Sequence, residues 1–319
     1  ITTLTGVAIV VANMIGTGAF TSLGFQLKDL NNPSVVLTLW VLGGILALSG
    51  AFSYAEVGTV ISKSGGEYAF LSKIYNPLIG YLSGWISLTV GFAAPIAFSE
   101  YFPFGNFNVK WMSIALVAVI TLIHTRSLKL SAEFQNISTL LKVILIVIII
   151  SIGLVLPEHS GNEIVSSKGY FTELTSTAFA IALIYVSYSY SGWNAAAYIT
   201  EEFENPLKSL PKALIGGTVL VTVLYTLLQY VFLKHVPVND LAGQLNVGTI
   251  ATKQMLGEKA GSFFGLAISL LLISGISAMV WVGPRVTLSI AKEHRLWSYF
   301  QTQENGIPKR ALWLQFGIS

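Results

Sequence analysis

Val10-Val-Ala-Asn-Met-Ile-Gly-Thr-Gly-Ala-Phe20 places two glycines in the middle of an apolar run that reaches from about Leu4 to Leu27. A run of that length can cross a bilayer as a helix, which takes roughly 20 residues. Gly16 and Gly18 work against a continuous helix, because each costs about 1 kcal/mol relative to Ala in a helix interior and lets the backbone leave helical geometry. A helix broken at mid-membrane exposes N–H and C=O groups, which are tolerated only where they line a cavity or are buried in protein. The second half-helix would then aim bare N–H groups and its dipole at the cavity, a setting for an anion such as a carboxylate. Unwound carbonyls beside it would suit an ammonium group or a cation. The alternative is that Gly16 and Gly18 only let a neighbouring helix pack closely.

The rest of the chain has the composition of a membrane protein. Of 319 residues, 53% are hydrophobic and 10% charged, with a mean hydropathy of +0.69; soluble domains carry about 25% charged residues. There is no cysteine, hence no disulfide framework and no thiolate metal or redox chemistry. A net charge of +3, scattered along the chain, does not point to nucleic acid. The first residue is Ile and no charged region precedes the first apolar run, which argues against a signal peptide. Both ends read as trimmed, the last apolar run opening at Ala311 and stopping at Ser319.

Eight spans are predicted, at about 4–27, 34–62, 77–103, 110–125, 134–156, 174–200, 211–233 and 261–291, with a ninth opening near Ala311. The connecting loops are short and marked by Asn32-Pro33, Ser64-Gly-Gly66, Pro157, Asn205-Pro206 and Pro237. With a cytoplasmic N-terminus, eleven Lys and Arg residues fall on the inner side, among them Lys63, Arg126, Arg285 and Lys292. Six fall outside, and Lys142 lies within a span. That bias predicts a cytoplasmic N-terminus.

The sixth span holds a second irregular stretch, Ser187-Tyr-Ser-Tyr-Ser-Gly-Trp-Asn194. Spans one and six would correspond if two five-span halves were related by inversion, and interrupted spans at equivalent places point to a transporter's binding site. The alternative is serines bonding back to their own helix carbonyls. Catalytic signals are lacking: the histidines 124, 159, 235 and 294 have no metal-ligand spacing, and no nucleophile elbow occurs. No metal, cofactor or enzyme activity is therefore expected. Two ionisable residues sit within apolar spans. Glu56 lies near the inner end of the second, where a structural pairing is expected. Lys142 lies about six residues, or roughly 9 Å, past the predicted inner interface of the fifth. It either has a functional role or snorkels to that interface.

As a set, these motifs resemble the amino acid–polyamine–organocation (APC) superfamily of permeases, and within it the L-type amino acid exchangers and their bacterial relatives. Ile15-Gly-Thr-Gly-Ala-Phe20 is similar to the family's first-span motif. Tyr54-Ala-Glu-Val-Gly-Thr59 and Lys63-Ser-Gly-Gly-Glu-Tyr68 resemble its second-span end and first inner loop. Tyr188-Ser-Tyr-Ser-Gly-Trp-Asn194, Asn205-Pro-Leu-Lys-Ser-Leu-Pro211 and Gly283-Pro-Arg285 resemble its sixth span, following loop and eighth-span end. The resemblance implies an all-α integral membrane protein with a five-plus-five inverted-repeat fold. The first and sixth helices would be broken and the chain truncated within the ninth. One permease domain would cover 1–319, with a first repeat at about 1–157 and an unfinished second repeat from about 170.

The resemblance also implies roles. Gly16, Thr17 and Gly18 would present N–H groups to a substrate α-carboxylate, and the carbonyls of Met14, Tyr188 and Ser191 would accept from its ammonium group. Tyr188 would gate the site, Asn194 would steady the broken sixth span, and Ile15 and Trp193 complete the candidate binding set. Lys142 would stand where sodium-coupled relatives hold a cation, against carbonyls of the first span or the hydroxyls of Ser274 and Ser277. Two departures from the family pattern act in opposite senses: Ala19 would widen the pocket and Ser191 would narrow it. With no acidic residue in either break, a neutral L-amino acid is the expected substrate, carried by sodium-independent exchange. The rival readings are a proton-coupled symporter and a germinant-receptor-like membrane sensor. Expected partners are the amino acid and the lipid bilayer, in a plasma or inner membrane; no partner subunit is indicated.

Overall fold

The computed structural model describes residues 1–91, 109–158, 160–162, 164 and 169–319, and among them it is helical with no strand. The first apolar run folds as two helices, α1 (Thr3–Met14) and α2 (Gly18–Gln26). The Thr2 hydroxyl accepts from the Thr5 N–H and starts α1. α3 (Pro33–Val60) begins on Asn32, whose Oδ1 accepts from the N–H groups of Ser34 and Val35, with Pro33 in the first turn where its missing N–H costs nothing. The short α4 (Glu67–Ile74) leads to α5 (Pro77–Ile86), which passes into a π-helical turn at Ser87–Gly91. α6 (Val109–Arg126) and α7 (Leu128–Val155) follow, then α8 (Tyr170–Leu174) and α9 (Thr177–Ser189). A 3₁₀ segment (Ala195–Glu202) precedes α10 (Pro206–His235), α11 (Val238–Leu241) and α12 (Val247–Leu256). The chain closes with α13 (Glu258–Glu293), a 3₁₀ turn (Arg295–Phe300) and α14 (Lys309–Ile318).

By length and composition, five segments among the described residues can cross a membrane: α1 with α2, α3, α7, α10 and α13; α6 and α9 are shorter apolar helices. Three boundaries differ from the sequence reading, one of them the start of α10 at Pro206 rather than near 211. α7 starts at Leu128 rather than near 134, because Ser127 caps it by accepting from the Leu130 N–H. This puts Lys142 at the middle of a 28-residue helix instead of near its inner end. The sixth span is α9 up to Ser189, then irregular backbone, then the 3₁₀ segment. The outer part of the expected third span (92–103), His159 and Lys168 lie outside the described residues.

The core lies where α1, α3 and α10 meet, and small residues make the approach possible. A Cβ built on Gly44 of α3 would stand 2.2 Å from the Thr222 side chain of α10, and one on Gly217 of α10 would stand 2.7 Å from Val10 of α1. The buried rings of Trp40, Tyr190 and Tyr225 fill the space beside the two interrupted helices, with centroids 5.1–5.9 Å apart.

The two interruptions touch through backbone. Gly192 has φ 97°, and a Cβ there would lie 2.9 Å from the Asn13 carbonyl carbon. A left-handed conformation costs a non-glycine residue about 1–2 kcal/mol before any clash is counted. Gly192→Ala is therefore expected to lower the melting temperature of the detergent-solubilised protein by several degrees. Gly216→Ala, in α10 with nothing within 4 Å of the new methyl, should leave it unchanged or raise it, since Ala gains about 1 kcal/mol over Gly in a helix. Equal melting temperatures for Gly192→Ala and the parent would refute the close approach.

Candidate functional site

The break between α1 and α2 can be followed group by group. At the end of α1, the Val11 carbonyl accepts from the Ile15 N–H at 2.9 Å. The Ala12 and Ile15 carbonyls accept from Lys142 Nζ, at 3.2 and 2.7 Å. The Met14 carbonyl accepts from the Tyr225 hydroxyl at 2.6 Å and from the Gly16 N–H at 2.9 Å. At the start of α2, the Ala19 carbonyl accepts from Gln229 Nε2 at 2.8 Å. The N–H groups of Thr17, Gly18 and Ala19 and the carbonyl of Asn13 take no hydrogen bond from the described residues. Gly16 differs from the sequence reading here, because its N–H is turned onto Met14.

Lys142 is fully buried, at 0% exposure, so it does not snorkel. Thr139, one turn earlier on α7, donates to the Ala8 carbonyl at 3.3 Å, and Asn136 Nδ2 donates to Thr5 Oγ1 at 3.2 Å. These residues share one face of α7 and follow α1 along its length. Ser274 and Ser277 hold other partners. Ser274 Oγ donates to the Leu271 carbonyl at 3.0 Å, and Ser277 Oγ donates to Gln135 Oε1 at 2.7 Å and meets His124 Nε2 at 3.0 Å. What α13 brings to Lys142 is Gly275: a Cβ there would stand 3.1 Å from the Ala12 carbonyl and 3.7 Å from Nζ.

A cavity of about 170 Å³ opens on the break, walled by residues 12–18, Tyr188, Ser189, Ser191 and one face of α13 at Leu272, Gly275, Ile276 and Met279. None of these side chains is charged. Met14, Ile15, Gly16, Thr17, Gly18, Tyr188 and Ser191 are thus gathered around one space. Trp193 and Asn194 are not: Trp193 packs against Gly50 and Tyr54, with ring centroids 4.8 Å apart, and Asn194 binds Glu67. Gly16 faces open space, whereas a Cβ on Gly18 would meet Ser189 Oγ at 2.8 Å. Gly18 therefore serves the contact between α2 and α9. That contact continues from Ser189 to Ser22 (2.9 Å), Gln26 (3.2 Å) and Trp40 (2.9 Å), and the Tyr190 hydroxyl donates to the Trp40 carbonyl.

One face of the molecule is tied across the same helices. Glu67 accepts from Asn194 Nδ2, the Tyr198 hydroxyl and the Tyr54 hydroxyl. The Gly65 N–H donates to the Tyr198 carbonyl at 3.0 Å, and the Ser289 hydroxyl donates to the Ser64 carbonyl at 2.9 Å. Arg285 pairs with Glu202 at 2.5 Å, and Trp281 Nε1 also donates to Glu202. Lys63 and Tyr68 meet Glu293, and burial and then that carboxylate push the Tyr68 phenol well above its usual range, so it stays a donor. Glu56, expected to pair, is exposed and makes no ion pair among the described residues. Glu67 was missed although it stands in the quoted Lys63–Tyr68 loop, because an isolated Glu at a helix start reads as a dipole partner. Tyr225 and Gln229, polar residues one turn apart in an apolar helix, were a signal left unread.

The fold and the cavity define a multi-pass helical membrane protein with a small uncharged site beside two interrupted helices. The chain belongs to the amino acid permease family, whose model matches residues 1–319, and with it to the APC superfamily. It is similar to the b(0,+)-type amino acid transporter 1 of Homo sapiens, at 35% identity over 75% of this chain and 52% of that protein. It is also similar to the serine/threonine exchanger SteT of Bacillus subtilis, at 28% over 92% of this chain and 68% of SteT. With the cystine/glutamate transporter of Homo sapiens it shares 30% over 84% of this chain and 55% of that protein. The chain spans about half the length of the mammalian b(0,+)-type transporters it matches. These are membrane transporters, so an enzyme is set aside.

The Glu67 cluster makes a clear stability statement. Glu67 is half-buried, and replacing an acceptor that serves several donors costs up to about 1–3 kcal/mol for each donor left unpaired away from water. Glu67→Gln presents an amide N–H where a phenol donates, so its melting temperature should fall by several degrees. Glu56→Gln, on an exposed surface, should change it by no more than the error of the measurement. Equal melting curves for the two variants would show that the cluster contributes nothing.

Proposed function

We propose that this chain forms the substrate site of a secondary transporter that carries neutral L-amino acids by sodium-independent exchange. The observation that carries the reading is the pairing of unused groups at the break. The N–H groups of Thr17 and Gly18 begin α2, where the helix dipole favours a carboxylate. The free Asn13 carbonyl and the Tyr188–Ser191 wall offer acceptors to an ammonium group. In this reading Asn13 takes the role first given to Met14, whose carbonyl already serves Tyr225. The lack of any charged side chain in the wall supports a neutral substrate. A volume of about 170 Å³, below the roughly 300–1,000 Å³ of drug-sized sites, supports a small one. The names of SteT and the cystine/glutamate transporter place exchange and amino acid substrates among its relatives.

Lys142 would replace a coupling cation by holding α1 to α7 without an ion to release. The chain would form two inverted repeats, about 1–157 and from about 170 onward, in a cell membrane with the Lys63 and Arg285 face cytoplasmic. Transport would proceed by alternating access around the break.

Two experiments test this. In proteoliposomes, uptake of a labelled neutral amino acid should occur only when unlabelled amino acid is inside, and choline should replace sodium without loss. Lys142→Ala leaves two buried carbonyls without a donor, at about 1–3 kcal/mol each, and should cut uptake tenfold or more; Lys142→Arg, planar and bulkier, should not restore it. Strict sodium dependence, or normal flux in the Ala variant, would overturn the role of Lys142, and binding without flux would make the protein a sensor. Separately, Gly16→Ala places a methyl in the cavity with no protein atom within 4 Å. It should keep the melting temperature and weaken binding about tenfold, a typical overpacking cost. A methyl ester should not compete with the free acid; equal competition would remove the carboxylate from the N–H groups of α2.

A further inference from the structure

Three buried threonines, Thr121, Thr218 and Thr252, donate to the carbonyl four residues earlier on their own helices, at 2.7–2.8 Å. That is the bond a helical hydroxyl finds first. Thr139 departs from it: its hydroxyl leaves α7 and donates to the Ala8 carbonyl of α1. The cause lies one turn back on α7. Gln135 Nε2 donates to Thr139 Oγ1 at 3.0 Å and to the Ser274 carbonyl of α13 at 3.1 Å. A carbonyl can only accept, so Ser274 fixes which end of the Gln135 amide is nitrogen. Gln135 Oε1 then takes the single proton of the Ser277 hydroxyl. With that proton spent, His124 Nε2, 3.0 Å from the same oxygen, is a donor. The chain of bonds therefore has one direction, from His124 on α6 through Ser277, Gln135 and Thr139 to α1. Each of its four side chains is at most 4% exposed.

The same turn of α13 serves both contacts between α7 and the broken span. The Ser274 carbonyl orients Gln135, and the missing side chain of Gly275 leaves room for Lys142 Nζ. Thr139 and Lys142, one turn apart, hold α1 at Ala8, Ala12 and Ile15. We propose that Gln135 and Thr139 are positioning residues for the site at the break, and that the directed chain behind them sets how often α1 leaves α7. Gln135 occupies the Thr139 oxygen and turns its proton outward; without that donor the hydroxyl returns to its own helix and α1 loses the bond at Ala8. The consequence for transport rests on the alternating access inferred above, in which α1 must move. The chain of bonds itself does not depend on that reading.

The sequence contains no cysteine, so one introduced thiol reports on α1 without interference. Val10→Cys places it at 0% exposure against Gly217 of α10, where N-ethylmaleimide reaches it only when α1 departs. Ala251→Cys, equally buried but on α12, which carries no member of the chain, is the control. With the first reporter, Thr139→Val and Gln135→Met should each raise the labelling rate about fivefold, the worth of one net hydrogen bond. Thr139→Ser, which keeps the hydroxyl, should restore the parent rate, and the control should react at one slow rate in every background. A second measurement uses the parent protein: ¹⁵N spectra of histidine-labelled material, assigned with His124→Gln, should show His124 Nε2 protonated. Equal rates with and without Thr139→Val, or a serine variant as fast as the valine one, overturn the proposal. A parallel rise at the control reduces the chain to general stability and overturns the positioning role. A bare Nε2 on His124 reverses the direction of the chain and overturns the proposal at its source. Absence of exchange by the parent, with these rates as expected, overturns the transport reading and leaves the hold on α1 standing.

Discussion

A bilayer offers no water to a broken backbone, and the arrangement of side chains around residues 12–19 follows from that constraint. An uninterrupted helix satisfies its own N–H and C=O groups; the interruption at Ile15–Thr17 frees several of each. Partners for the freed carbonyls come from helices distant in sequence: Lys142 from α7, and Tyr225 and Gln229 from α10. These donors had to be long, polar and buried in apolar helices, where each is expensive unless its partner is met. The break and its donors therefore require one another. The N–H side of the break receives no such supply from the described residues: Thr17 and Gly18 keep their groups free beside the cavity. Most of the carbonyl half of the break is answered, the Asn13 carbonyl excepted, and the N–H half is left open, which is the polarity an anionic group needs.

The second interruption is handled differently. Between Ser189 and Ala195 the chain turns through Gly192, which lies against Asn13. The two breaks brace one another there by backbone contact, without an intervening side chain. On one side of that contact α2 and α9 are joined through Ser22, Ser189, Gln26 and Trp40; on the other, the 3₁₀ segment is fastened to α4 by Glu67 and to α13 by the Arg285–Glu202 pair. The first connection uses neutral hydroxyl and amide groups. The second uses carboxylates and a guanidinium, and the Arg285–Glu202 pair is buried, its side chains 4% and 12% exposed, so each charge depends on its partner. Tyr188, 75% exposed among the described residues, stands on the wall between them.

Much of this was legible in the sequence, for a definable reason. Apolar runs, Gly pairs and an intramembrane Lys are local signals, and membrane burial makes each costly enough to be informative. Hence Gly16, Gly18, Tyr188 and Ser191 could be assigned to one region before any coordinates. What stayed hidden were relations between distant residues. Trp193 and Asn194 belong to the same short motif as Tyr188, yet the turn at Gly192 carries them away from the cavity toward Tyr54 and Glu67. Ser274 and Ser277 have hydroxyls at a plausible depth, but Gln135 and His124 engage Ser277, and it is the absence of a side chain at Gly275 that lets α13 come close to Lys142. Which carbonyl of the break stays free is likewise invisible without knowing that Tyr225 reaches Met14.

The difference between a lysine and a bound cation bears on energetics as well as geometry. A sodium ion that bridges α1 to its neighbours can leave, so its gradient enters the free energy of each cycle. Lys142 Nζ offers the same positive donor to the Ala12 and Ile15 carbonyls but is tethered to α7, and no gradient is discharged when it lets go. If α1 moves during transport, the strength of those two bonds must be matched in the other conformation, because a charge buried in both cannot be left unpaired in either. On the reading proposed above, a carrier built this way would have only its amino acids to bias the exchange between states. Substrate occupancy of the Thr17 and Gly18 N–H groups, which with the Asn13 carbonyl stay unsatisfied among the described residues, would then become the requirement for crossing. On that proposal the coupling between entry and exit would reside in the open half of the interrupted helix, and the lysine's part would be to serve the Ala12 and Ile15 carbonyls of the other half.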